Sequence, residues 1–195
     1  MSIFGHTNDV ANEVIGWVGT NLTWVSVSSG HSDLMTYACG TTPAPSHSVP
    51  ASAMCCFDIF LLALYERGWS SQSDLFNIYK DLPKGVDMLR ATGLGASLNQ
   101  YTLGTNSPPT KGHLVFFNGL DHVALATGAT AAHLGTNGSE VVTFWCNPAG
   151  AIPAGAGPVP NTPVMLDTIE GLANRMSAAL AGTAVVVNTA KPRWR

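Results

Sequence analysis

Cys55 and Cys56 lie in the run Ala53-Met54-Cys55-Cys56-Phe57-Asp58-Ile59-Phe60-Leu61-Leu62-Ala63-Leu64-Tyr65, adjacent thiols at the head of an apolar helix. The N–H groups and positive dipole end of a helix N-terminus favour thiolate over thiol, so a cysteine there is a reactive nucleophile near neutral pH. Downstream, Lys111-Gly112-His113-Leu114-Val115-Phe116-Phe117-Asn118-Gly119-Leu120-Asp121-His122-Val123-Ala124-Leu125-Ala126 places a histidine at the start of a strand. A thiolate next to an imidazole is the equipment of acyl transfer: the sulfur attacks a carbonyl and the ring delivers a proton to the leaving group.

Of the two thiols, Cys56 is the better nucleophile. Ile59, Phe60, Ala63 and Leu64 stand three, four, seven and eight residues beyond it and line one helix face. Counting from Cys55 instead puts Asp58 on that packed face, which costs several kcal/mol unless the carboxylate is paired. A free cysteine is also commonly a small buried hydrophobe, and that reading stands beside the catalytic one. For His122, strand alternation puts Ala124 and Ala126 on its own face, leaving room for a substrate.

These residues need a scaffold, and the chain predicts one. Val10 to Val18 reads as an amphipathic helix capped by Asn8 or Asp9, and Thr23 to Val27 as a strand. The turn-rich Gly40 to Pro50 precedes the cysteine helix, expected from about Ser52 to Arg67 with Gly68 as its cap. Further helices are expected over Ser71–Tyr79, with Ser73 as cap, and Val86–Thr92. Strands are expected at Leu114–Phe117 and His122–Ala126 around the turn Asn118-Gly119, at Glu140–Trp145 and at Thr183–Val187. Ala149 to Pro163 reads as a loop, and Asp167-Thr168-Ile169-Glu170 has capping-box spacing for a helix to about Leu180. Helices first and an antiparallel sheet afterwards define an α+β fold, read as a single domain over residues 1–195.

The stretch from about 52 to 147 resembles the papain-like hydrolases, most of all the NlpC/P60 type of bacterial cell-wall enzymes and secreted effectors. In that family a helix-leading cysteine is followed by Gly-Asp-Leu-Val-Phe-Phe and then His-Val-Gly-Ile-Tyr. Here the corresponding segments are Gly112-His113-Leu114-Val115-Phe116-Phe117 and His122-Val123-Ala124-Leu125-Ala126, at a similar interval from Cys56. His113 stands where an aspartate is usual, and Phe57-Asp58 replaces the small Ser-Gly pair after the cysteine. The resemblance implies a catalytic helix packed on an antiparallel sheet and a Cys56–His122 pair.

A third polar group must fix the tautomer and plane of the imidazole. If Gly128 to Ser139 is a hairpin connection, His122 comes opposite Trp145, with Asn147 two residues on and held extended by Pro148. Asn147 resembles the asparagine of papain-like enzymes, while an ordinary Asn-Pro turn explains it equally well. His133 is the rival that the NlpC/P60 resemblance favours, and Asp167 a further one that a helix cap also explains. Glu140 and Asp121 are expected to face solvent. The backbone N–H of Cys56 is expected to bind the oxyanion, and Gly112 and His113 to shape the cleft.

Composition narrows the remaining classes. The 195 residues are 46% hydrophobic and 11% charged, which suits a folded body, and a net charge of −3 gives no footprint for nucleic acid. Four cysteines without a repeating spacing indicate neither a disulfide framework nor a zinc site, and no metal or organic cofactor is called for. No apolar run approaches the roughly 20 residues of a membrane span, and no Sec signal is visible. The chain thus reads as a cysteine amidohydrolase or peptidase, synthesised in the cytoplasm and secreted by a specialised system as an effector cleaving peptidoglycan stem peptides. An immunity protein or secretion chaperone would be its partner. A deamidase or protease of a target-cell protein is the alternative, with Phe57-Asp58 and the loop 149–163 as its specificity surface. A non-catalytic binding module on the same fold is a further one.

Overall fold

Ser32, Ser71 and Thr168 each accept a hydrogen bond from an N–H in the first turn that follows, and each opens a helix. A computed structural model describes residues 6–26, 32–40, 42–80, 98–105, 107–119, 121–145 and 158–193. Among them are five α-helices: α1 (Thr7–Gly16), α2 (Asp33–Cys39), α3 (Asp58–Glu66), α4 (Gln72–Tyr79) and α5 (Ile169–Ala179). The strands are β1 (Asn21–Trp24), β2 (Ala53–Met54), β3 (Asn99–Gln100), β4 (Leu114–Phe117), β5 (His122–Thr130), β6 (Ser139–Phe144), β7 (Val159–Thr168) and β8 (Val187–Ala190). The chain is therefore α+β, with its helices mostly ahead of the sheet.

All eight strands join one curled sheet in the order β2-β1-β7-β6-β5-β4-β8-β3, antiparallel except for the β1–β2 pair. At its centre, β4 and the first half of β5 are buried on both faces, as are all residues of β6. The β4–β5 hairpin turns through Asn118 and Gly119, both at positive φ, as a tight turn requires. No helix of the described residues is long and apolar enough to cross a membrane.

The longest apolar run becomes the central helix. Every side chain of α3 from Asp58 to Leu64 is buried, so the helix is enclosed all round instead of presenting one face. Each large aliphatic or aromatic side chain so enclosed contributes about 1.5–3 kcal/mol. Helix α1 packs on α3 and reaches β5, and α2 packs on α4 and β2. At the rim, Glu13 of α1 takes the Trp17 indole N–H at 3.2 Å and an ion pair from Arg67. His47 stacks on Trp17 at 4.4 Å and pairs with Glu66.

Several boundaries depart from the sequence reading. The cysteine helix starts at Asp58 and not near Ser52, because Ala53 and Met54 are drawn into the sheet as β2, where Thr23 N–H bonds Ser52 O at 3.0 Å and Val25 N–H bonds Met54 O at 2.9 Å. The cap of α4 is Ser71, in a reciprocal capping box with Asp74, two residues earlier than Ser73. Helix α2 and strand β7 were not foreseen. β7 carries Pro160 and Pro163, which speak against a strand, yet it lies between β1 and β6; Asn161 at φ 56° sits where its register with β1 shifts. The last strand is Val187–Ala190, displaced from Thr183–Val187. Val86–Thr92 lies outside the described residues.

Gly112, expected to shape a cleft, does structural work at the foot of β4. Its φ is +82°, and a Cβ there would lie 2.4 Å from the carbonyl oxygen of Thr7 at the start of α1. Gly112→Ala combines a left-handed alanine with a backbone clash and is expected to lower unfolding free energy by about 2–4 kcal/mol, measured by urea denaturation. Gly119→Ala, at a turn with open space around it, is expected to cost less than half as much.

Candidate active site

The turn that carries the thiols is built from three helices and one strand. β2 delivers the chain to Cys55, whose N–H donates to Asp58 Oδ2 at 2.8 Å while Asp58 N–H returns to Cys55 O at 3.2 Å. That reciprocal closure starts α3 and leaves Cys56 in the turn just ahead of it. Helix α2 braces the approach: Asp33 Oδ2 accepts the Ala53 N–H at 2.7 Å, and the Ser32 hydroxyl bonds the Asp58 carboxylate. From α4, Tyr79 donates its hydroxyl to Asp58 Oδ1. Asp58 is wholly buried with these donors around it; burial pushes its carboxyl above the ordinary range, and the Cys55, Ser32 and Tyr79 hydrogen bonds pull against that. Phe57 and Asp58 are both buried, so neither forms the specificity surface expected of them.

His122 comes from the opposite side of the site, at the head of β5. Its cross-strand partner is Phe117, ring centroids 5.7 Å apart, and Trp145 lies 5.3 Å away on the other flank. Leu125 pairs with Val142 and Ala126 with Val141, and counted onward that register sets His122 opposite Trp145, whose ring it meets, although Ser139 pairs with Thr130 through a register shift and not with Gly128 as the hairpin count assumed. On the same face the small Ala124 comes opposite Thr143, so the imidazole can lean across it diagonally. His122 Nε2 meets Thr143 Oγ1 at 2.7 Å, both residues being buried. The room expected beside His122 is filled by the Phe117 and Trp145 rings.

With Nε2 engaged by Thr143, Nδ1 is the nitrogen left for the thiol. The Cys55 thiol donates to the Cys56 sulfur, and together with the hydrogen bond and charge of His122 and the Val123 N–H it holds the Cys56 thiol well below the ordinary range against burial. Burial, Cys56 and the Asp58 charge push Cys55 well above it. The adjacent thiols are thus displaced in opposite directions, Cys55 upward and Cys56 downward. Cys56 is 6% exposed and His122 1%, so the pair sits just beneath the surface and is reached by a slender group.

The rivals for the third position fall elsewhere. Asn147 lies outside the described residues. His133 sits in a 3₁₀ turn, Ala132–Leu134, beyond the far end of the nine-residue β5, about 25 Å of strand from His122. It pairs with Glu140 at 3.2 Å, and Glu140 is buried where solvent exposure was expected. Asp167 pairs with Arg175 and accepts the Thr168 N–H at 2.7 Å, while Thr168 caps α5. Its cross-strand partner is Val141, which puts it two strands over and four residues along from His122. Glu170 forms no capping box: it accepts Ser139 N–H and Tyr101 hydroxyl, both at 2.9 Å.

Among the described residues, no group of three His, Cys, Asp or Glu side chains is arranged to hold a metal ion. The residues that sequence reasoning missed are Thr143, Tyr79 and the supporting side of Asp58. Thr143 had a signal: one hydroxyl in the apolar run Val141-Val142-Thr143-Phe144-Trp145 must find a partner when buried. Comparison of the chain with protein-family models, curated proteins and solved structures finds no match in any of the three.

Two outcomes follow from this geometry. Because the thiolate is the alkylated species, the lowered Cys56 thiol is expected to react with iodoacetamide at mildly acidic pH, where Cys55 and Cys39, both pushed up by burial, stay unmodified; peptide mass spectrometry reads this out. Thr143→Val keeps the shape but strands His122 Nε2, and is expected to lower unfolding free energy by about 1–3 kcal/mol. It should also move the Cys56 alkylation curve to higher pH, whereas Thr143→Ser restores both.

Proposed function

We propose that this chain is a cysteine-dependent amidohydrolase of the papain-like, NlpC/P60 type, acting on stem-peptide amide bonds of peptidoglycan as a secreted bacterial effector. The observation that carries the reading is the line Cys56, His122, Thr143: a thiol with depressed proton affinity, an imidazole, and a hydroxyl on the imidazole's remote nitrogen. The local sequence resemblance and the α+β order of helices and antiparallel strands support the family. His113 and Phe57-Asp58 depart from its usual pattern.

In the proposed reaction the Cys56 thiolate attacks the amide carbonyl carbon, and the carbonyl electron pair moves onto oxygen. The Cys56 N–H, at the turn ahead of α3, is the proposed oxyanion donor. His122 gives its Nδ1 proton to the amide nitrogen as the C–N bond breaks, leaving a thioester and a free amine. Water then gives a proton back to His122 and attacks the thioester, releasing the acid and the Cys56 thiolate. Thr143 holds the ring plane through both steps. The narrow exposure of the pair favours an extended peptide over a folded surface as substrate. In this reading the chain is made in the cytoplasm, exported by a specialised secretion system, and met by an immunity protein or secretion chaperone.

Purified peptidoglycan tests it. Wild type is expected to release soluble peptides, Cys56→Ala to fall to background, and His122→Ala to fall by about a hundredfold or more. Cys55→Ala should remain active with its rate–pH curve moved upward, since Cys56 loses a hydrogen-bond donor. No release by wild type, with Cys56 still labelled selectively at mildly acidic pH, would replace the cell wall by a target-cell protein amide. An inert Cys56 would leave the binding-module reading.

A further inference from the structure

Two adjacent thiols raise a selection problem that the reaction above leaves open, since either sulfur could carry the negative charge. The turn distinguishes them through its neighbours. Facing Cys55 are the Asp58 carboxylate of α3, which takes its N–H at 2.8 Å, and behind it the Tyr79 hydroxyl of α4 and the Ser32 hydroxyl of α2. Facing Cys56 are His122 and the Val123 N–H of β5. Cys39 of α2 is a more distant influence on Tyr79. Asp58 itself is fully buried, so its charge acts through protein and not through water.

We propose that Asp58 is a positioning residue for the reaction above: its buried carboxylate, seated under Tyr79 and clamping the Cys55 peptide, keeps Cys55 a neutral thiol and directs the reactive sulfur to Cys56. The inference rests on the thiol-hydrolase reading and goes beyond it. Asp58 touches no substrate and acts through Cys55 in two ways. Its hydrogen bonds fix the turn, and in its ionised form, which burial opposes and the Cys55, Ser32 and Tyr79 hydrogen bonds favour, its negative charge disfavours a second negative charge on Cys55, three residues back. The neutral Cys55 thiol is then free to donate to the Cys56 sulfur, which stabilises the thiolate there. Tyr79 and Ser32 keep the carboxylate in place as hydrogen-bond donors.

The test compares wild type with Asp58→Asn and Tyr79→Phe by iodoacetamide labelling across mildly acidic to neutral pH, with Cys55 and Cys56 resolved by peptide mass spectrometry. Asn keeps an acceptor for the Cys55 N–H and a partner for the Tyr79 hydroxyl while removing the charge. The Cys56-to-Cys55 labelling ratio is expected to fall about tenfold in D58N, the effect of one unit of relative proton affinity, and to fall by less in Y79F. Cooperative thermal unfolding of each variant confirms that the change is not exposure of an unfolded chain, and Y79F decides the matter should D58N fail to fold. An unchanged ratio in the folded variants overturns the role of Asp58 alone if wild type still labels at Cys56 and releases peptides. A wild-type protein that labels at neither thiol overturns the hydrolase reading and this proposal together.

Discussion

A histidine sealed inside a β-sheet needs partners for its ring nitrogens, and the arrangement that supplies them at His122 runs through much of the molecule. Left unpaired, a buried polar group costs roughly 1–3 kcal/mol. Thr143 can serve Nε2 only because β5 and β6 hold their register, and Ala124 is small enough for the ring to cross it. A slip of one residue would turn Thr143 to the other face. The register is in turn fixed by Leu125 against Val142 and Ala126 against Val141, which are core residues on a strand buried on both sides. The hydrogen bond at the candidate site is therefore a property of the sheet.

The thiol turn follows the same logic with a carboxylate in place of the imidazole. A wholly buried Asp58 would be expensive without donors, and the chain gathers donors for it from three separated segments: Cys55, Ser32 and Tyr79. Gathering them also fixes where α3 begins and how α2 and α4 sit against it. The brace extends to Asp33, which secures Ala53 and so the two-residue β2. Such a short edge strand has little pairing of its own, and side-chain anchoring compensates for that. Local backbone geometry at Cys56 is consequently set by long-range polar contacts and not by helix propensity.

This division explains what the amino-acid sequence made legible. The β4–β5 hairpin, the Glu140–Trp145 strand and the apolar α3 were readable because burial patterning and turn chemistry are local signals. The opposition of His122 and Trp145 also followed from counting residues across one hairpin. The start of α3 was misplaced because the competing interaction, parallel pairing of Ala53-Met54 with β1, involves residues about thirty positions upstream, beyond any local window. β7 was hidden by its prolines: Pro160 falls where the register with β1 shifts, and Pro163 stands opposite Asn21 just beyond that shift. Asp58 was judged as a cost on a packed face, since its donors Ser32 and Tyr79 are invisible as neighbours until the helices are assembled. For the same reason Glu140 was assigned to solvent: its partner, His133, is placed beside it by the turn beyond β5.

Burial of the candidate pair has its own chemical consequence. A thiolate and an imidazolium in water attract by about 1 kcal/mol at 4 Å, and by several times more beneath a protein surface. The same burial penalises each charge taken singly, so the charged pair is favoured only if both partners form together and their remaining polar sites are satisfied. Thr143 answers this for the imidazole, and the Cys55 thiol with the Val123 N–H answers it for the sulfur. Phe117 and Trp145, which fill the space beside the ring, keep water from competing for these bonds. The crowding that leaves Cys56 only 6% exposed opposes its thiolate, so the lowering at this sulfur comes from Cys55, His122 and the Val123 N–H overcoming burial, and the same crowding limits access to groups slender enough to reach the sulfur.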